Sequence, residues 1–149
     1  MSLQFAFLTM LLFSCNKKAF SDVEGLKFYK PYLSDLSNYE MEISDLSKVK
    51  SEGGQKIIYK NTPLTSAVDI YEYSSSFKLR IRLLKSESMP DLLMVTRFFY
   101  DPTNTNEKKI ITEKSSIILR EGKKTSIVEN SLKLSEKQIL QFFDKVQDE

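Results

Sequence analysis

Between Ser51 and Glu129 the chain is cut into short segments by turn-forming residues, and the gaps between segments are too short for a crossover. The segments with strand character are Lys56–Lys60, Ala67–Tyr73, Phe77–Lys85, Leu92–Tyr100, Lys108–Glu113, Ser116–Arg120 and Thr125–Glu129. Between them stand Asn61-Thr62-Pro63, Ser74-Ser75-Ser76, Met89-Pro90-Asp91, Asp101-Pro102-Thr103-Asn104 and Glu121-Gly122-Lys123-Lys124, all rich in residues that favour turns. Parallel neighbours need a connection of a dozen residues or more, so segments joined this tightly pair antiparallel.

The side-chain pattern says which faces are buried. Phe77, Leu79, Ile81 and Leu83 alternate with Lys78, Arg80 and Arg82, as in a strand with one apolar and one wet face. Leu92–Tyr100 carries apolar residues at both parities, as a strand covered on both sides does. Ser135 and Gln138 make a capping box, Glu136 suits the positive end of a helix, and Ile139, Leu140, Phe142, Phe143 and Val146 recur at helical spacing. Upstream, Ser51-Glu52-Gly53-Gly54 is a turn. Pro31 opens a short helix with Tyr32, Leu33, Leu36 and Tyr39 on one face, and Tyr39, Met41 and Ile43 alternate like a strand. The expected fold class is α+β: a mainly antiparallel sheet, flat or curled towards a sandwich or barrel, with a C-terminal amphipathic helix packed on it.

Several chemistries are excluded by residue type. The chain of 149 residues has no His, so no imidazole can serve as base, ligand or pH switch. Its one Cys, Cys15, leaves no internal disulfide and no Cys/His zinc site. Neither GxGxxG nor GxxxxGK[ST] occurs, so no dinucleotide or P-loop cofactor is expected, and no metal. With 22 basic against 20 acidic residues there is no global attraction to nucleic acid, and electrostatic recognition has to be local.

Three groups of residues could carry function. Pairing through the serine turn sets Tyr73, Tyr71 and Asp69 opposite Lys78, Arg80 and Arg82. Arginine beside tyrosine can recognise an anionic or carbohydrate partner through charge-assisted hydrogen bonds and cation–π contact; the plainer expectation is a solvated face with ordinary cross-strand pairs such as Asp69–Arg82. Phe98, Phe99 and Tyr100, with Tyr71 and Tyr73, could line a ligand cavity or form a partner patch, although core packing is the commoner fate of such rings. Glu40, Glu42 and Asp45 are close enough in sequence for a paired-carboxylate hydrolase, against the plain expectation of a solvated acidic face.

At the N-terminus, nine of the eleven residues Leu3–Phe13 are apolar; the run is too short to span a bilayer but has the length of a signal-peptide core. It ends in Leu12-Phe13-Ser14-Cys15, followed by the polar Asn16-Lys17-Lys18. This resembles the bacterial lipoprotein signal in its looser, spirochaete-like form, with Phe13 where a small residue is commoner. The resemblance implies a signal peptide over residues 1–14, a diacylglycerol thioether on Cys15, a tether over 15–24 and one globular domain over 25–149. It also implies a lipid-anchored place in the cell envelope, and Asn16 at the sorting position points to the outer membrane or surface. The function expected is that of a non-catalytic binding or interaction domain held at the membrane, with a protein or an anionic or carbohydrate envelope component as partner. A small-molecule carrier with an apolar cavity and a carboxylate-dependent hydrolase are the alternatives.

Overall fold

The computed structural model describes residues 21–48, 52–104 and 106–148. The apolar run Leu3–Phe13, Cys15 and the start of the expected tether lie outside the described residues.

The described residues open with helix α1 (Asp22–Tyr29), started by a capping box in which Ser21 Oγ accepts from the Glu24 amide while the Glu24 carboxylate accepts from the Ser21 amide. Asp22–Glu24, expected to be tether, are thus the first turn of a helix. Pro31 sits in a 3-10 turn over Lys30–Tyr32 that continues α1, rather than opening a helix of its own. Seven strands follow: β1 (Glu40–Asp45), β2 (Gly54–Lys60), β3 (Ser66–Tyr73), β4 (Phe77–Lys85), β5 (Asp91–Tyr100), β6 (Ile110–Glu121) and β7 (Lys124–Asn130). Helix α2 (Glu136–Asp148) ends the described chain, and its capping box is present: the Ser135 amide donates to Gln138 Oε1 at 2.9 Å and the Gln138 amide to Ser135 Oγ at 3.2 Å.

All seven strands form one sheet in sequential order, every neighbour antiparallel. The sheet is open, with β1 and β7 as its edges, so it closes neither into a barrel nor into a sandwich. Ile110–Glu113 of the expected strand Lys108–Glu113, and Ser116–Arg120, expected as a separate strand, belong to the single long strand β6, while Lys108 and Lys109 precede it. Lys114 and Ser115, between the two expected segments, continue the strand, and its serines bond across the sheet: Ser115 Oγ meets Thr96 Oγ1 at 2.9 Å, and Ser116 Oγ donates to Asn130 Oδ1 at 2.9 Å.

Each face has its own core. On one, Val68, Ile70, Ile81, Leu83, Leu93, Val95 and Ile118 pack beneath Ile139, Phe143 and Val146 of α2. On the other, Ala67, Leu84, Leu92, Met94, Ile117 and Leu119 pack beneath Tyr29 and Leu36. Burying each Val, Leu, Ile, Met or Phe side chain among these contributes about 1.5–3 kcal/mol. Helix α1 can approach this second face closely because Gly25 lies over Leu119, where a Cβ would come within 2.9 Å of Leu119 Cδ1. Tyr29 fixes the approach by donating its hydroxyl to the Pro90 carbonyl at 2.7 Å.

Candidate binding site on the sheet face

Helix α1 and the following connection cover one end of their face, over Ala67, Leu84, Leu92 and Leu119. Towards the other end of the strands lies the row Tyr73, Lys78, Phe98, Glu113, whose members are partly or fully exposed. Between the two is the row Gln55, Tyr71, Arg80, Thr96, Ser115. The register places Tyr71 opposite Arg80, Tyr73 opposite Lys78 and Asp69 opposite Arg82, the pairing that the serine turn implies. A depression of about 500 Å³ opens here. Leu33, Ser34 and Asp35 wall one side, and Tyr71, Arg80, Phe98 and Glu113 line the sheet side.

Arg82 does not belong to the exposed stripe. It is 1% exposed, because the connection after α1 folds over it. Its Nε and Nη2 donate to the two carboxylate oxygens of buried Asp69 at 2.7 and 2.6 Å, and Nη1 donates to the carbonyls of Tyr32 and Ser34 at 2.9 and 2.6 Å. Asp69 also accepts from the Tyr59 hydroxyl at 2.8 Å. Burial works against the Arg82 charge, but the hydrogen bonds and charge of Asp69 outweigh it and hold its pKa above the ordinary value. Arg82 is therefore a clamp: its cation is spent on Asp69 and on positioning the wall of the depression.

Lys78 and Arg80 are different. Alternate residues of a strand lie about 6.6–6.8 Å apart on one side, and no described carboxylate forms an ion pair with either of them. Rings hold them instead. Lys78 Nζ sits 5.3 Å from the centre of Tyr71 and 4.9 Å from that of Phe98, and the Arg80 guanidinium lies 5.5 Å from the Phe98 centre. Such contacts fix a cation without neutralising it. Partial burial, and then the neighbouring Arg80 charge, push the Lys78 ammonium below the ordinary lysine pKa. Arg80 Nε is buried and has no hydrogen-bond partner. The Tyr71 hydroxyl is raised above the ordinary phenol value, by burial first and by Asp69 second, against the pull of Arg80.

The other expected residues are dispersed. The pleat sends Phe98 and Phe99 to opposite faces, and only Phe98 reaches the depression. Tyr100, at a register shift, lines a separate cleft of about 370 Å³ with Pro102, Asn104 and Lys108. Tyr73 lies at the margin, its hydroxyl donating to Gln55 Oε1 at 3.4 Å. Glu40, Glu42 and Asp45 are on the exposed edge strand β1, each with its own partner: Asn61, Lys60 and Ser47. Pairing puts Glu40 and Glu42 on one face of β1 and Asp45 on the other. Lys60 holds the Glu42 carboxyl below its usual range, and Ser47 does the same for Asp45.

Glu113, which lines the depression beside Phe98, carries no local sequence signal. Its place follows only from the pairing of β5 with β6. Among the described residues no group of three or more acidic, His or Cys side chains could hold a metal, and no helix is long and apolar enough to cross a membrane.

Compared with models of protein families, with curated proteins and with solved structures, the chain matches none.

Proposed function

We propose that this chain is a membrane-anchored envelope lipoprotein whose small domain binds rather than catalyses, and that the Lys78–Arg80 face is where it binds an anionic envelope partner. The observation that carries the binding reading is the pair of neighbouring cations, held by rings and left without carboxylate partners among the described residues. Side-by-side cations in a partly dried site repel each other, and an anion between them relieves that repulsion through charge-assisted hydrogen bonds. A binding module is favoured over a carrier because side chains fill both cores of an open sheet, and the depression is lined by charged and hydroxyl groups. The anchor rests on the Leu12-Phe13-Ser14-Cys15 segment and its apolar run.

Two measurements test the proposal. Mass spectrometry of the membrane fraction is expected to find diacylglycerol on Cys15 and to lose the protein from that fraction in Cys15→Ala. An unmodified N-terminus starting elsewhere contradicts the anchor. For the face, retention of the purified full chain on immobilised poly-L-glutamate is compared in rising salt. Lys78→Glu with Arg80→Glu should elute at much lower salt than Lys123→Glu with Lys124→Glu, which changes net charge equally at a distant hairpin. Equal elution of the two double variants contradicts recognition at this face.

A further inference from the structure

We infer that the outer edge of β1 is a second binding surface, and that it takes an extended peptide segment in which Lys or Arg alternates with apolar residues. It is independent of the Lys78–Arg80 face, from which β2 and β3 separate it. The two edges of the sheet are built differently. On β7 the ladder to β6 shifts at a bulge beside Ile117 and Ile118, and Ser126 Oγ donates to Asp22 Oδ2 of α1 at 2.6 Å. A bulge and a covering element are the usual protections of an edge against added strands. Among the described residues β1 has neither: its six residues pair with β2 in unbroken register, and all are exposed.

The ladder tells which backbone groups of β1 face outward. The Leu46 amide donates to the Gly54 carbonyl at 2.9 Å, which extends the pairing of β1 with β2 by one step. Hydrogen-bonded and open pairs alternate along an antiparallel ladder. Ser44, Glu42 and Glu40 therefore bond inward to β2, and Met41, Ile43 and Asp45 turn their N–H and C=O groups outward. Side chains sort in the same way. Met41 and Ile43 lie beside Tyr59 and Ile57 of the second core, and remain 41% and 55% exposed. Glu40 and Glu42 lie on the opposite face. Glu42 pairs with Lys60, whereas Glu40 forms no ion pair among the described residues and accepts from Asn61 Nδ2 at 3.0 Å. A strand added here would bond to Met41, Ile43 and Asp45 and lay its apolar side chains over Met41 and Ile43. Its alternate side chains would stand beside the two glutamates, where Lys or Arg is attracted and Asp or Glu repelled. The same rule disfavours a second copy, because β1 against β1 sets Glu40, Glu42 and Asp45 of one strand beside the same three acids of the other.

Amide exchange followed by NMR on the isotope-labelled full chain tests this, with acetyl-Lys-Val-Lys-Val-Lys-Val-amide and acetyl-Glu-Val-Glu-Val-Glu-Val-amide as probes. The lysine peptide is expected to slow exchange at Met41, Ile43 and Asp45, and the glutamate peptide to bind this edge at least about ten-fold more weakly. Ile43→Pro removes an outward N–H without touching the bonds to β2, and should weaken the lysine peptide by about ten-fold or more. Glu40→Lys with Glu42→Lys should reverse the order of the two peptides, which misfolding cannot do. Silence from the lysine peptide, or shifts without slowed amides, overturns the added strand. Equal protection by both peptides overturns the basic partner. Slow exchange at Met41, Ile43 and Asp45 in the free protein also overturns it: the edge would then be held by another segment of the chain, or by a second copy if the slowing grows with protein concentration.

Discussion

Arg82 and Asp69 face each other across β4 and β3 through two hydrogen bonds of 2.7 and 2.6 Å, with both residues almost fully buried. Two further Arg82 bonds reach the carbonyls of Tyr32 and Ser34. The pair therefore joins the sheet to the connection that walls the depression. Arg82→Met leaves Asp69 charged and buried and frees the two carbonyls, so it should cost about 3–5 kcal/mol. Replacing Asp69 and Tyr59 with apolar residues in the same chain should return much of that loss, since an apolar core replaces a buried ion pair at little cost. Urea unfolding of the single and combined variants measures both effects.

High pH should unfold the protein through its buried phenols. Burial, then the Asp69 charge and hydrogen bond, raise the Tyr59 hydroxyl above its ordinary value; burial, then the Asp91 charge, do the same for Tyr29. A group whose folded pKa lies above its unfolded one contributes stability that is complete below the unfolded pKa. That stability is lost as pH rises from about 10 towards the folded value. Unfolding free energy measured from pH 8 to 11 should fall on the alkaline side. Tyr29→Phe should flatten the fall, and a wild-type curve flat through pH 11 would contradict the buried phenols.

Helix α2 should depend on one ring more than on any other side chain. Phe143 is fully buried between α2 and the sheet, with the Arg120 guanidinium 3.9 Å from its ring centre. Phe143→Ala should cost about 3–5 kcal/mol, whereas Leu140→Ala on the outer face should stay within about 0.5 kcal/mol. Leu140 is 43% exposed. Thermal unfolding of the two variants separates them.

The entry into α2 is held by Asn130. Its Oδ1 accepts from Ser116 Oγ and from the Leu134 amide at 2.9 and 2.8 Å, and its Nδ2 donates to the Leu134 carbonyl at 3.0 Å. Asn130→Ala strands these partly buried groups and should cost about 1–3 kcal/mol, with faster hydrogen exchange at Leu134.

The parts of the fold with strong local periodicity are legible in the sequence. The alternation of β4 and the serine turn fix the register with β3, and the capping box at Ser135 marks α2. Helix α1 is hidden because its only fully buried residues are Gly25 and Tyr29, with Leu26 and Phe28 half-buried beside them, which leaves no clear apolar stripe. β6 reads in sequence as two segments because the polar Lys114 and Ser115 interrupt it, although the Ser115 hydroxyl bonds across the sheet to Thr96. At the site, Lys78, Arg80 and Tyr71 can be picked out because they lie on neighbouring paired strands. The burial of Arg82 cannot, because the segment that covers it lies about fifty residues away in sequence. Glu113 is invisible for the same reason: its place beside Phe98 is set by strand pairing across a long loop.

The most direct test of recognition at the sheet face is the titration of the Lys78 ammonium, followed by NMR on the full chain with and without poly-L-glutamate. A cation that is partly buried, beside Arg80 and without an ion pair among the described carboxylates should titrate below the ordinary lysine pKa of about 10.4 and move upward when the anion binds. By linkage, binding should then weaken as pH rises through the free-state pKa of Lys78. A Lys78 that titrates at its ordinary pKa and does not respond to the anion would mean that the face is solvated surface, and would contradict the binding role given to it here.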